Sequence, residues 1–279
     1  IFVAMLLVSG FLPIQSDEIK QDLKFSVMGC GPYDTTRRRA LQQQLEREHE
    51  LQSSEFIVHL GDIAGGRTKF KESHFSEMKK LLTQGNKVPT YIVPGDNEWN
   101  DQKNHVECWS FWMKHLFKLE DNFKTPWITK RQEIRPENFS FVHKGVLFIG
   151  LNLPGGTVHD ADEWILRQKQ NAMWVDDLLK VHGEKIRATV LFFQEALSEK
   201  HSVFTAAVRP SLKAFEKPVL LVHADHHKWL CTEAYLEANI TRIQTDKIGP
   251  EAPPVQVTIS KDENPVFKFN RRLKSSEGF

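Results

Sequence analysis

Residues 93–101 read VPGDNEWND and complete a short apolar run that begins at residue 90. An apolar run that stops at Pro-Gly-Asp is typical of a buried β-strand that ends in a turn. The same pattern occurs upstream, where the apolar run at residues 55–60 stops at Gly61 and Asp62. Two such strands predict a sheet whose strand ends carry carboxylates.

Strands and helices alternate outward from this stretch. Strands are predicted at residues 23–28, 55–60, 90–93, 138–143, 146–151, 188–193 and 219–222. Helices are predicted at residues 35–51, 73–82, 105–117, 161–181 and 203–215, the last one kinked or restarted at Pro210. Further strands, predicted to pair antiparallel, lie near residues 241–245, 255–259 and 266–269. We therefore expect an α/β fold in which residues 17–279 form a single domain.

The composition is that of an ordinary globular chain. Of the 279 residues, 40% are hydrophobic and 26% are charged, and the formal net charge is +1. A chain of this length can bury a sizeable core. Its nearly balanced charge gives no reason to expect a nucleic acid or a membrane surface as a partner.

The apolar run at residues 1–14 is followed by polar and charged residues. It is shorter than the roughly 20 apolar residues that a membrane-spanning helix needs. We interpret residues 1–16 as a secretory signal peptide truncated at its N-terminus. This interpretation predicts a secreted or lumenal protein with no membrane span in the mature chain. A buried first strand or a clipped membrane anchor is the alternative.

Two further features are typical of an exported glycoprotein. Glycosylation sequons begin at Asn138 and at Asn239. The three cysteines allow one disulfide in an oxidising compartment. We expect Cys108 and Cys231 to form it and Cys30 to stay free, although the sequence does not fix the pairing.

Polar side chains recur where the predicted strands end. They are Cys30, Asp62, Asp96, Asn97, Glu98, Gln194, Asp225, His226 and His227. In an open α/β sheet the ligand lies beyond the carboxyl ends of the strands, so separate loops can bring these side chains together. Converging carboxylates repel one another, and a divalent cation compensates their charge. Oxygen and imidazole ligands suit Zn, Mn, Fe or Mg, and a Cys thiolate favours Zn.

The order of these blocks resembles that of the calcineurin-like metallophosphoesterases over residues 23–269. That family carries blocks of the form D-x-H, G-D-x-x-D, G-N-H-D/E, a lone His and G-H-x-H. The most specific piece is GDNEW at residues 95–99, which is similar to a divergent branch in which it replaces G-N-H-E. The resemblance implies a mixed β-sheet sandwich flanked by helices, in four layers.

The resemblance also implies one or two divalent metal ions. The first would be held by Cys30, Asp62 and His227, and the second by Asp62, Asp96, Gln194 and Asp225. Asp62 would bridge the two ions, and Gln194 would offer its carbonyl oxygen where the family has a His. Each position also has a purely structural interpretation, such as a turn cap for Asp62 or a core residue for Cys30.

The predicted catalytic positions are Asn97, Glu98 and His226. Asn97 stands where the family has the His that helps to protonate the leaving group. Glu98 or His226 is the candidate to replace that acid.

The expected function is metal-dependent hydrolysis of a small phosphorylated substrate, in which a metal-bound water or hydroxide attacks a phosphate mono- or diester. Departures from the family pattern at Cys30, Pro32, Asn97 and Gln194 keep an alternative open. The alternative is a catalytically impaired protein of the same fold that binds metal or a phosphorylated ligand. A metal-free exported structural protein is a third hypothesis.

Overall fold

The computed structural model describes residues 21–51, 53–262 and 264–273. The predicted signal peptide at residues 1–16 lies outside these ranges. Two β-sheets form the centre of the described part. The five-stranded sheet has the order β12-β11-β1-β2-β3. Its strands are β1 (Leu23–Met28), β2 (Ile57–His59), β3 (Thr90–Ile92), β11 (Val255–Ile259) and β12 (Phe267–Asn270).

The second sheet has seven strands in the order β4-β5-β6-β7-β8-β10-β9. They are β4 (Lys130–Arg131), β5 (Phe139–His143), β6 (Val146–Gly150), β7 (Ala188–Phe192), β8 (Val219–His223), β9 (Leu230–Thr232) and β10 (Ile240–Gln244). Each sheet contains a run of parallel strands: β1, β2 and β3 in one, and β6, β7, β8 and β10 in the other. Strands that run parallel end at the same edge of their sheet.

Aromatic side chains fill the space between the two sheets. Phe25 of β1 packs edge-on against Phe148 of β6 and Phe192 of β7, with ring centroids 5.4 and 5.7 Å apart. Phe56 stacks on Phe25 at 5.0 Å. These residues belong to one continuous buried cluster with members in both sheets.

Helices cover the outer face of each sheet. The helices are α1 (Thr35–Leu51), α2 (Glu72–Thr83), α3 (His105–His115), α4 (Ala161–His182) and α5 (Ser202–Ala214). The first three pack on the five-stranded sheet through residues such as Leu41, Phe75 and Trp112. The last two pack on the seven-stranded sheet through Val175 and Phe204. The predicted α/β sandwich flanked by helices is therefore confirmed.

Several details differ from the sequence prediction. The three C-terminal strands were predicted to pair antiparallel, but they divide between the two sheets. Strand β10 pairs parallel with β8 on one side and antiparallel with β9 on the other. Helix α5 continues through Pro210. The two- and three-residue strands β4 and β9 were not predicted, because such short, half-exposed segments carry no apolar run.

The predicted disulfide is wrong. All three cysteines are free, with Cys108 buried and Cys231 exposed. Cys108 lies in α3, which packs on the outer face of the five-stranded sheet. Cys231 lies in β9, at the edge of the other sheet.

The Asn side chain of the first predicted glycosylation sequon is not accessible to solvent. Asn138 is fully buried, and its amide donates to Gln132 and Asn171. Asn239 is half-buried and donates to the Leu212 and Lys217 carbonyl oxygens. Within the described ranges, no helix is both long enough and apolar enough to cross a membrane.

Candidate metal centre

Three carboxylates meet where strands of both sheets end. Asp62 follows β2, Asp96 follows β3, and Asp225 follows β8. Oxygen atoms of the three side chains all lie within 4.8 Å of one another. Two of the carboxylates come from loops of one sheet and the third comes from the other sheet, so the cluster spans the sandwich.

The cluster carries an excess of buried negative charge. Asp62 and Asp96 are only 2% and 7% exposed. Burial, reinforced by the charges of Asp96 and Glu98, raises the pKa of Asp62 well above its usual value. Burial is also the main cause that raises the pKa of Asp96. Both shifts mean that the ionised cluster needs a compensating positive charge, and three convergent oxygen ligands fit a divalent cation.

Gln194 presents its amide nitrogen to the carboxylates. Its Oε1 accepts the Gly155 N–H at 2.9 Å, which fixes the orientation of the amide. Its Nε2 lies 3.1 Å from Asp96 Oδ1, 3.3 Å from Asp62 Oδ2 and 3.4 Å from Asp225 Oδ1. The carbonyl oxygen that the sequence led us to expect as a metal ligand therefore points away from the cluster.

Cys30 is a buried thiol held by hydrogen bonds. Its Sγ lies 3.5 Å from Asp62 Oδ2 and accepts the Asp225 N–H at 3.1 Å. Burial, followed by the negative charge of Asp62, raises the pKa of the thiol well above its usual value. A Cys metal ligand is a thiolate, so the predicted ligand role of Cys30 requires that cation binding release the thiol proton.

Tyr33 is a site residue that sequence reasoning missed. Its hydroxyl lies 3.2 Å from His227 Nε2 and 3.4 Å from Asp62 Oδ2. The Asn97 amide donates to the same hydroxyl at 3.4 Å. In the part of the chain that the structure describes, Cys30, Asp62 and His227 do not form a ligand cluster within 4.8 Å. A Tyr one position beyond a strand-end turn carries no sequence pattern that would have identified it.

The predicted acid Glu98 supports the backbone of the site. It is fully buried in a π-helical turn, Asp96–Asn100. Its Oε1 accepts the Gly95 N–H at 2.7 Å, and its Oε2 accepts the Asp62 N–H at 3.0 Å. Burial raises the pKa of Glu98 to about 7. Because both oxygens are engaged by the main chain, Glu98 holds Asp62 in position.

His226 and Glu195 lie beside Asp225 on the more open side. His226 Nδ1 is 3.0 Å from Asp225 Oδ2, and its side chain is 63% exposed. Glu195, which the sequence did not single out as a site residue, forms a second group of potential ligands with Asp225 and His226. Burial, with the charges of Asp225 and Asp96, raises the pKa of Glu195 to about 8.

Four site residues have positive φ, a region that non-glycine residues rarely adopt. They are Cys30 (56°), Asp62 (60°), Asp225 (66°) and His227 (63°). Such conformations cost energy and persist where the surrounding structure enforces them, as at functional sites.

Neither the protein-family models nor the curated proteins include a match to this sequence. Solved structures do match. A dimetal phosphatase from Danio rerio superposes with a TM-score of 0.60 at 12% identity, covering 90% of this chain and 97% of that chain. GAP50, the anchor in the inner membrane complex of Plasmodium, gives 0.52 at 13% identity, over 92% of this chain and 90% of its own.

A 5'-nucleotidase from Candida albicans gives a TM-score of 0.51 at 11% identity, and the match covers 89% of this chain but 52% of the nucleotidase. At these identities the likeness shows the fold. This chain therefore shares the fold of the dimetal phosphatase, in agreement with the sandwich that the strand-end blocks implied.

Proposed function

We propose that this protein is a metal-dependent phosphoester hydrolase that acts on small phosphorylated substrates. The observation that carries the proposal is the convergence of Asp62, Asp96 and Asp225 within 4.8 Å at the strand ends. Two structural neighbours that share the fold are named as a phosphatase and a nucleotidase.

The three carboxylates would hold one divalent cation. Such a cation neutralises charge on phosphoryl oxygens and lowers the pKa of a water molecule next to it. His226 lies on the exposed side of Asp225 and is the better placed of the two proton donors predicted from the sequence. Glu195 is a second candidate, because burial raises the pKa of its carboxyl in the chain without a cation.

The test is hydrolysis of aryl phosphate mono- and diesters by chelator-treated protein supplied with Zn, Mn, Fe or Mg. We expect turnover with at least one metal and a loss of at least about 100-fold in kcat/KM in Asp62→Asn and Asp225→Asn. The matched control is Asp177→Asn, which makes the same change at an exposed position of α4. Equal turnover in Asp62→Asn and in the control would refute the proposal.

A second candidate function is ligand binding without turnover. The observation that favours it is that two of the expected ligands are already hydrogen-bonded. The Gln194 amide donates to Asp96, and the Tyr33 hydroxyl donates to Asp62. One structural neighbour is named as an anchor. The same assay separates the two functions: binding alone predicts stabilisation by metal or phosphate ester with no hydrolysis under any metal.

A further inference from the structure

We infer that the Tyr33 hydroxyl takes the place of a second cation, so that each chain binds one divalent cation, at Asp62, Asp96 and Asp225. The inference rests on the cation site of the proposed function and adds its stoichiometry. Of the one or two ions that the sequence resemblance implied, it selects one.

The hydroxyl lies between the two groups that a second cation would have to join. Tyr33 Oη is 3.4 Å from Asp62 Oδ2 and 3.2 Å from His227 Nε2. Zinc would need both ligand atoms at about 2.0–2.2 Å. The hydroxyl instead links the two side chains by long hydrogen bonds, and it accepts a third hydrogen bond from the Asn97 amide at 3.4 Å.

The Tyr33 ring is held in place from several sides. The His227 ring packs edge-on against it, with centroids 5.6 Å apart at an angle of 73°. The Lys247 ammonium lies 5.4 Å from the ring centroid on a π face. The ring also packs against the buried cluster between the sheets. These contacts keep the hydroxyl between Asp62 and His227.

The two candidate positions therefore differ in their ligand sets. Asp62, Asp96 and Asp225 already lie within 4.8 Å of one another, whereas within the described ranges Cys30, Asp62 and His227 form no such group. Three carboxylates carry enough negative charge for one divalent ion. His227 is exposed and remains outside that ligand set.

The experiment is equilibrium dialysis of the full chain against Mn²⁺, followed by elemental analysis, with circular dichroism to show that each variant is folded. We expect one ion per wild-type chain. His227→Ala should still bind one ion with unchanged affinity, whereas Asp225→Ala should lose affinity by at least about tenfold. Tyr33→Ala should gain a second ion, and the double variant Tyr33→Ala/His227→Ala should return to one.

Two ions in the wild type, no ion in the wild type, or loss of the single ion in His227→Ala would each overturn the inference. A folded Tyr33→Ala chain that still binds one ion would show that Tyr33 does not set the limit. Stoichiometry is independent of turnover. One bound ion without hydrolysis would refute the proposed activity and leave the inference standing. Hydrolysis with two bound ions would support the proposed activity and overturn the inference.

Discussion

The amide group of Gln194 is the hydrogen-bond donor that the three carboxylates share. Its Nε2 lies 3.1–3.4 Å from oxygens of Asp96, Asp62 and Asp225. One amide offers two N–H groups to three acceptors, so it satisfies the cluster only in part. Because the amide is uncharged, most of the electrostatic repulsion among the carboxylates remains.

At residue 194 a change to Glu should be strongly destabilising. Gln194→Glu replaces the shared donor by a fourth carboxylate, and we expect a loss of at least about 2 kcal/mol in the free energy of unfolding at pH 7.5 without metal. Burial and like charge raise the pKa of neighbouring carboxyls in the folded chain. A raised folded-state pKa means that the folded chain takes up protons before the unfolded chain does, so the loss should shrink as the pH falls to 5.5.

Urea unfolding at both pH values measures this effect, and Gln43→Glu makes the same change at an exposed position of α1. The control should stay within about 0.5 kcal/mol of wild type. An equal loss at pH 7.5 and 5.5 for Gln194→Glu would contradict the electrostatic account of the cluster.

The positions of these side chains at the strand ends were predictable from the sequence, because apolar runs indicate where each strand stops. Asp62, Asp96 and Asp225 come together as that reasoning suggested. The direction of the Gln194 amide was not predictable, since it depends on the N–H of Gly155 in a different loop. Tyr33 was missed because its role depends on where its side chain reaches and not on its spacing along the chain.

The turn that follows β2 and the turn that follows β3 lie in close backbone contact. A Cβ atom on Gly95 would lie 2.2 Å from the Asp62 nitrogen and 2.4 Å from Asp62 Oδ1. Gly61, with φ of 81°, lies against the Gly95 backbone in the same way. Only glycine at both positions lets the two loops approach closely enough to place Asp62 beside Asp96.

Gly95→Ala should therefore weaken both the fold and the cation site. The new methyl group meets the backbone and an oxygen of Asp62, and we expect a loss of at least about 2 kcal/mol in unfolding free energy, with weaker Mn²⁺ binding. Gly65→Ala is the matched control, because its Cβ would meet only the Tyr33 ring at 3.9 Å. Urea unfolding and dialysis measure the two effects; equal behaviour of the two variants would show that the close approach is not required.

Most helices and strands were predictable at this scale, since each carries an apolar run or a helical apolar face. The hairpin of β5 and β6 through Lys144 and Gly145 is one example. The partner of a strand was harder to predict: β10 joins β8 in one sheet, whereas β11 joins β1 in the other. An apolar strand pattern indicates burial without specifying which neighbour buries it.

For the whole molecule, the site depends on the packing of one sheet against the other. Asp62 and Asp96 follow strands of the five-stranded sheet, and Gln194 and Asp225 follow strands of the seven-stranded sheet. A cation bound by all three carboxylates would link the two sheets and stabilise the folded chain by mass action. The layered architecture followed from the alternation of strands and helices together with the family resemblance. Export and the single-domain boundary at residue 17 stay predictions.

The central claim is that one divalent cation binds between Asp62, Asp96 and Asp225. The most direct measurement is anomalous X-ray diffraction from crystals of the full chain soaked in Mn²⁺. We expect a single anomalous peak within coordination distance of these three side chains, with the Tyr33 hydroxyl still hydrogen-bonded to His227. A peak coordinated by His227, two peaks, or no peak at a Mn²⁺ concentration that saturates the protein in dialysis would contradict it.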